Sequence, residues 1–114
     1  TEVAEYNLVG KEHVKSLSRF LDHLKAHRDA DGQPLLNSTS VLFGSGMGDS
    51  NTHDNSNLPT LLAGGGWRHG SHHQIDREAG TRLLGDLYLT LMQRMGVKVD
   101  SFAGAKHNLN EALL

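Results

Sequence analysis

The segment from Ser40 to Asp76 constrains the fold most, because two short apolar runs within it each end in a cluster of glycines. The runs are Val41-Leu42-Phe43 and Leu61-Leu62-Ala63, and histidines and aspartates follow both clusters. Such runs are typical of short strands buried in a parallel sheet, with polar sites beyond their carboxyl ends. The pattern therefore predicts an α/β fold in which this segment carries the site.

The rest of the chain predicts two main helices and two or three short strands in a single partial domain spanning residues 1–114. Apolar residues recur at spacings of three and four in both helical segments. We predict a helix at 11–28, strands at 39–44 and 59–63, polar loops at 44–58 and 64–80, a helix at 82–95 and a tail at 101–114. Residues 1–10 show no clear period, and Val97–Val99 is a candidate third strand.

The second helix is predicted to begin after the N-cap candidate Thr81 and to end at Gly96, a typical C-cap residue. Its core face is predicted to be an apolar stripe of Leu84, Leu87, Tyr88, Leu91 and Met95. A sheet of two or three strands leaves its edges uncovered. We therefore expect a larger sheet, completed by further sequence of a longer chain or by a partner subunit, with a homo-oligomer as one form.

Composition argues against several classes of function. The chain has 11 Lys and Arg against 13 Asp and Glu, a formal net charge of −2, so no basic face indicates binding to nucleic acid. No apolar run has the length of a membrane span, and no signal-peptide core is present. Zero cysteines exclude disulfides, thiolate zinc sites and a cysteine nucleophile. A chain beginning with Thr1 is expected to be a processed or truncated product.

Histidine is abundant, with eight residues in the chain and four of them inside the segment 40–76. Asp49 and His53 are separated by three residues, and Asp54 follows directly. A second group, His69-x-x-His72-His73, lies further along, and its three histidines are not expected to bind one ion together. Oxygen and nitrogen donors without sulfur suit zinc, manganese or iron. The alternative is a polar loop whose side chains cap turns and bind water.

Two other motifs have less specific spacing. Gly44-Ser-Gly-Met-Gly-Asp-Ser50 follows a predicted strand but lacks the Lys-Ser/Thr ending of a phosphate-binding loop, so its glycines are expected to allow tight turning. His23 and His27 have the spacing of helical zinc ligands, but the glutamate of a metalloprotease motif is absent. A solvated helix face is the preferred interpretation of that pair.

Several ordered phrases carry a resemblance to a known family. They are Phe43–Asn51, His53–Gly66, Leu87–Val97 and Val99–Phe102. Together they resemble the carboxy-terminal part of the HXXSHH family, a bacterial domain family of unknown function grouped with the alkaline phosphatase-like superfamily. The resemblance implies that the chain is the carboxy-terminal portion of a three-layer α/β fold, in a periplasmic or otherwise exported protein.

The resemblance also implies roles for individual residues. Asp49 matches the strand-end aspartate of a two-metal site, His53 an accompanying imidazole and His72 the later histidine of a glycine-flanked loop. Asp54 and His69 are candidates either for alternative ligands or for residues that support the ligands. Ser50 stands where many relatives have histidine, which leaves the number of metal ions open.

In that superfamily the nucleophile and the other ligands lie on amino-terminal strands. The chain is therefore expected to be part of a metal-dependent phosphate or sulfate ester hydrolase that supplies metal ligands but not the nucleophile, and to be inactive alone. The alternative is a non-catalytic metal-binding or structural module of a larger extracytoplasmic assembly.

Overall fold

A computed structural model describes residues 2–73 and 84–114, and the chain divides after Gly66 into two compact units. The mixed α/β class is confirmed: a long helix, a two-stranded sheet and short helices are present. The elements are α1 (Glu2–Ala26), α2 (Leu35–Ser38), β1 (Ser40–Gly44), β2 (Thr60–Gly64), α3 (Leu84–Arg94) and α4 (Asn110–Leu113). The first four form the first unit, and α3 and α4 belong to the second.

Helix α1 begins at Glu2, well before the predicted start at residue 11. Glu2 and Glu5 lie in its first turn, where carboxylates interact favourably with the positive end of the helix dipole. The helix ends at Ala26, close to the predicted end. The Asp29 carboxylate then accepts hydrogen bonds from the backbone N–H groups of Asp31 and Gln33, which fixes a turn in place of another helical turn.

The apolar face of α1 is only partly covered. Leu17, Leu21 and Leu24 are half-buried in the part of the unit where α1 packs on α2. Along the rest of the helix the large apolar side chains are exposed, from Phe20 at 50% to Val3 at 71%. These exposed side chains are Val3, Tyr6, Leu8, Val9, Val14 and Phe20.

Strands β1 and β2 pair in antiparallel fashion, so the expectation of a parallel sheet was wrong. Ser40 pairs with Gly64 and Gly44 with Thr60. A parallel pair needs a crossover, usually a helix, and residues 45–59 form none. They instead close the hairpin as a long loop, called the site loop below. The two glycine clusters consequently begin at opposite ends of the hairpin.

The hairpin packs on α2 through its final glycines. The Gly65 N–H donates to the Leu36 carbonyl oxygen at 2.9 Å. Gly64 has a φ of 70°, a conformation that glycine adopts without a steric penalty. Close backbone approach at Gly64 therefore fixes the hairpin against the α2 segment.

The second unit is built on α3, and its buried face differs from the predicted stripe. Gly85, Asp86, Leu89 and Thr90 are buried, whereas Tyr88 is 39% and Met95 80% exposed. Hydrogen bonds explain the difference: the Thr90 hydroxyl donates to the Asp86 carbonyl at 2.6 Å and accepts the Leu109 N–H at 2.8 Å. Burying this face lets α3 hold the segment that follows it.

Helix α3 ends at Arg94, and Gly96 forms its C-cap as predicted. The Val97 N–H donates to the Met92 carbonyl and the Gly96 N–H to the Gln93 carbonyl, both at 3.0 Å, while Gly96 has a φ of 84°. This is the hydrogen-bond pattern of a Schellman C-cap. Residues 97–99 form no strand, contrary to the prediction; the Val99 N–H instead donates to the Val97 carbonyl.

Residues at the start of the second unit contact both of its helices. Trp67 is 4% exposed, with the Arg94 guanidinium 4.9 Å from the centre of its ring. Arg68 caps α4: its Nη2 donates to the carbonyl oxygens of Glu111 and Ala112, both at 3.0 Å. Trp67 is thus a packing residue of this unit.

Across residues 2–73 and 84–114, no helix combines the length and the apolar character that a membrane span requires.

Candidate functional site

The site loop folds back on itself between Asp49 and Asp54. The Asp54 N–H donates to the Asp49 carbonyl at 2.9 Å, and the Gly48 N–H donates to the Asp54 carbonyl at 2.8 Å. This pairing closes a six-residue turn that contains His53. Three of the candidate ligands therefore lie within one closed turn.

Both carboxylates of the turn are oriented by their own loop. The Asp49 Oδ1 accepts the backbone N–H groups of Asn51 at 2.8 Å and Thr52 at 3.4 Å. The Asp54 carboxylate accepts the Ser56 N–H at 2.8 Å and the Ser56 hydroxyl at 2.6 Å. Such Asx turns hold short loops in a defined conformation and keep the carboxylates at the surface.

The pKa of the Asp49 carboxyl is lowered from its ordinary value. The largest cause is the hydrogen bond from the Asn51 backbone, followed by those from the Thr52 side chain and backbone. Burial and the nearby Asp54 charge oppose this shift but do not cancel it. Donors that bind the charged form stabilise it, so Asp49 is ionised at neutral pH.

His53 adopts a left-handed conformation, with a φ of 55°. Histidine tolerates this region better than most residues, but glycine would adopt it at lower cost. The conformation lets the chain reverse direction immediately before Asp54. The His53 side chain is exposed in this turn.

A cleft of about 460 Å³ adjoins Asp49. It is lined by residues 45–50 and by Tyr6, which comes from the first turns of α1. Tyr6 was not predicted as a site residue, because no period marked residues 1–10 as helical. The start of α1 thus supplies part of the wall beside an ionised carboxylate.

The later histidine group belongs to the second unit. His69 and His72 are exposed and lie in the irregular segment that follows Arg68. Asp76, the last residue of the segment that begins at Ser40, falls outside the described residues. Within the described parts of the chain, no three or more His, Asp or Glu side chains are grouped so as to hold a metal ion. The turn therefore supplies suitable donors but not a complete set of ligands.

Gly48→Ala is expected to open the site turn. A methyl group at Gly48 would overlap the Ser56 carbonyl oxygen and lie 3.2 Å from that of Asn57, and both are backbone atoms of the same loop. We expect faster hydrogen exchange at the Gly48 and Asp54 amides by at least about tenfold, equivalent to about 1.4 kcal/mol of opening free energy.

The matched control is Gly46→Ala, because a methyl group there meets no atom within 4 Å. Exchange at the same two amides should be unchanged in this variant. Equal effects of the two substitutions would mean that the turn is not closed as described.

Thr52→Val is expected to raise the pKa of Asp49 towards its ordinary value without fully restoring it. Valine removes the side-chain hydrogen bond, while the stronger bond from the Asn51 backbone remains. Because the folded-state pKa is depressed, ionised Asp49 stabilises the turn above the unfolded pKa, and that contribution is lost as pH falls through the folded pKa. A carboxyl NMR titration measures the Asp49 pKa in the parent chain and in Thr52→Val. An Asp49 pKa that is the same in both would contradict a hydrogen bond from the Thr52 side chain.

No protein-family model matches the chain, and neither a curated protein nor a solved structure matches it.

Proposed function

We propose that this chain contributes one side of the metal site of a phosphate or sulfate ester hydrolase of the alkaline phosphatase-like superfamily, in an exported bacterial protein. The observation that carries the proposal is the closed turn from Asp49 to Asp54, which contains His53 and places the ionised Asp49 beside a cleft. The ordered phrases resembling the HXXSHH family support the same reading.

The donors of the turn fit a divalent cation. Carboxylate oxygens and an imidazole suit manganese, zinc or iron, and ionised Asp49 needs no deprotonation before binding. Asp49 and His53 are the proposed ligands on the first unit, with Asp54 as an alternative or supporting ligand. His69 and His72, on the second unit, are candidate ligands by the resemblance alone. A bound ion would supply Lewis-acid polarisation of a phosphoryl or sulfuryl oxygen. In this proposal the nucleophile comes from other sequence.

The exposed apolar face of α1 supports the need for further protein. Val3, Tyr6, Val9 and Val14 are each more than half exposed on one helix. Contiguous exposed apolar surface is typical of sites covered by another chain or domain. We therefore propose that the remainder of a longer chain or a partner subunit covers this face and completes the ligand set.

Metal binding tests the proposal on this chain. Manganese titration followed by calorimetry should show affinity at least about tenfold weaker in Asp49→Asn, since removing a direct ligand costs no less than removing its supporting contacts. Asparagine retains an oxygen for the Asn51 and Thr52 N–H groups, so the turn is kept while the charge is lost. Asp31→Asn, at an exposed aspartate in the turn after α1, is the control and should bind as the parent does.

Two results overturn the assignment: no binding of manganese, zinc or iron by the parent chain, or equal affinity in the parent and Asp49→Asn. The non-catalytic module is the second candidate, favoured by the exposed α1 face. It predicts metal binding or partner binding without ester hydrolysis. Hydrolysis of an aryl phosphate or aryl sulfate by a protein containing this sequence, lost in Asp49→Asn, separates the two.

A further inference from the structure

A second pair of metal-ligating side chains lies at the end of α1. The rings of His23 and His27 are nearly parallel, with an interplanar angle of 11° and centroids 6.3 Å apart. One helical turn separates the two residues, and the His27 N–H donates to the His23 carbonyl at 3.0 Å. Both side chains are therefore placed over the same side of the last turn.

The His27 ring is oriented by a contact that the sequence did not reveal. Its Nδ1 lies 2.8 Å from the same His23 carbonyl oxygen. A carbonyl oxygen only accepts, so Nδ1 carries the proton and, in the neutral ring, Nε2 is the atom with a lone pair. Backbone hydrogen bonds that fix the tautomer in this way are a regular feature of metal-ligating histidines.

We infer that His23 and His27 form a chelating site for a borderline divalent cation such as zinc, nickel or copper, separate from the proposed hydrolase site. Two imidazoles one turn apart suit these ions, whereas magnesium, calcium and manganese prefer oxygen ligands. Water would complete the coordination shell. The inference does not depend on the proposed hydrolase function.

The surroundings of the pair have mixed charge. The negative end of the α1 dipole and the neighbouring Asp22 favour a cation there. Lys25 and Arg28 oppose it, but both side chains are exposed, and their charges are screened by solvent and salt. Chelation by both rings thus determines the affinity, and both histidines are exposed for entry of the ion.

Nickel titration of the full chain tests the site. Substoichiometric Ni²⁺ should broaden the ring NMR signals of His23 and His27 together, before those of other histidines. His27→Ala should weaken the Ni²⁺ affinity measured by calorimetry at least about tenfold, because one of two ligands is lost. His13→Ala is the matched control: His13 is exposed on the same helix, and its removal should leave the affinity unchanged.

Asp49→Asn separates this site from the proposed hydrolase site and should leave the Ni²⁺ broadening of the His23 and His27 ring signals intact. Circular dichroism checks that His27→Ala retains α1. Three results overturn the inference: equal weakening by His13→Ala and His27→Ala, broadening that begins at other histidines, or loss of the broadening at His23 and His27 in Asp49→Asn.

Discussion

Gly64→Ala is expected to destabilise the first unit by about 3 kcal/mol or more, because backbone strain and backbone overlap act together at this position. Gly64 has a φ of 70°, and a methyl group there would overlap the Thr39 carbonyl oxygen and lie 2.6 Å from that of Leu36. Both atoms belong to backbone, so relief requires the hairpin to separate from the α2 segment. Chemical denaturation followed by hydrogen exchange at β1 and β2 measures the effect.

Gly32→Ala is the control that isolates backbone strain. Gly32 has a similar φ of 76°, but a methyl group there meets no atom within 4 Å. This variant should cost only about 1–2 kcal/mol, the penalty of the left-handed conformation itself. Equal costs for the two substitutions would show that the close approach of Gly64 to α2 is absent.

Leu89→Ala is expected to destabilise the second unit by about 2–5 kcal/mol, the usual cost of truncating a buried leucine. Leu89 is 1% exposed, on the face of α3 that also buries Asp86 and Thr90. The chain has one tryptophan, and Trp67 is buried in this unit. Its fluorescence during denaturation should therefore report the loss of stability directly.

Met95→Ala provides the matched comparison, because Met95 directly follows α3 and is 80% exposed. It should change the free energy of unfolding by less than about 0.5 kcal/mol. The sequence pattern predicts the reverse, since Met95 continues the apolar stripe of the helix. A larger loss of unfolding free energy in Met95→Ala than in Leu89→Ala would show that the predicted apolar stripe, and not the face with Leu89, forms the core.

The elements with strong local signals were the ones that the sequence predicted well. Both strands lie within one residue of their predicted bounds, because each apolar run is ended by glycines. Gly96 ends α3 through a hydrogen-bond pattern that glycine favours. Strand direction was missed, because an apolar run is compatible with either pairing; the missing helix between the runs was the available clue.

The buried face of α3 was missed for a different reason. Hydrophobic periodicity assigns the core to leucine and methionine. In the structure, the Thr90 hydroxyl and the Asp86 carboxylate are buried instead, because they accept backbone N–H groups of the segment that follows α3. Those contacts join residues about twenty positions apart, such as Asp86 and His107. No local pattern encodes such contacts, and tertiary hydrogen bonding decided which face is buried.

The candidate site was predictable in its residues but not in its geometry. The clustering of Asp49, His53 and Asp54 was visible in the sequence, but their closure into one turn depends on backbone pairing and on the left-handed His53. Tyr6 could not be predicted as a cleft residue, because its position beside the cleft depends on where α1 begins. His69 and His72 remain candidates on the resemblance.

Paramagnetic broadening by Mn²⁺ tests the central claim most directly. At substoichiometric Mn²⁺, the amide signals of residues 48–56 should broaden first in the parent chain, because the Asp49–Asp54 turn is the proposed binding site of the ion. Asp49→Asn should abolish this local effect, whereas Asp31→Asn should leave it unchanged. Broadening that begins elsewhere, or that persists at residues 48–56 in Asp49→Asn, would contradict the assignment of the site loop as a metal-binding element.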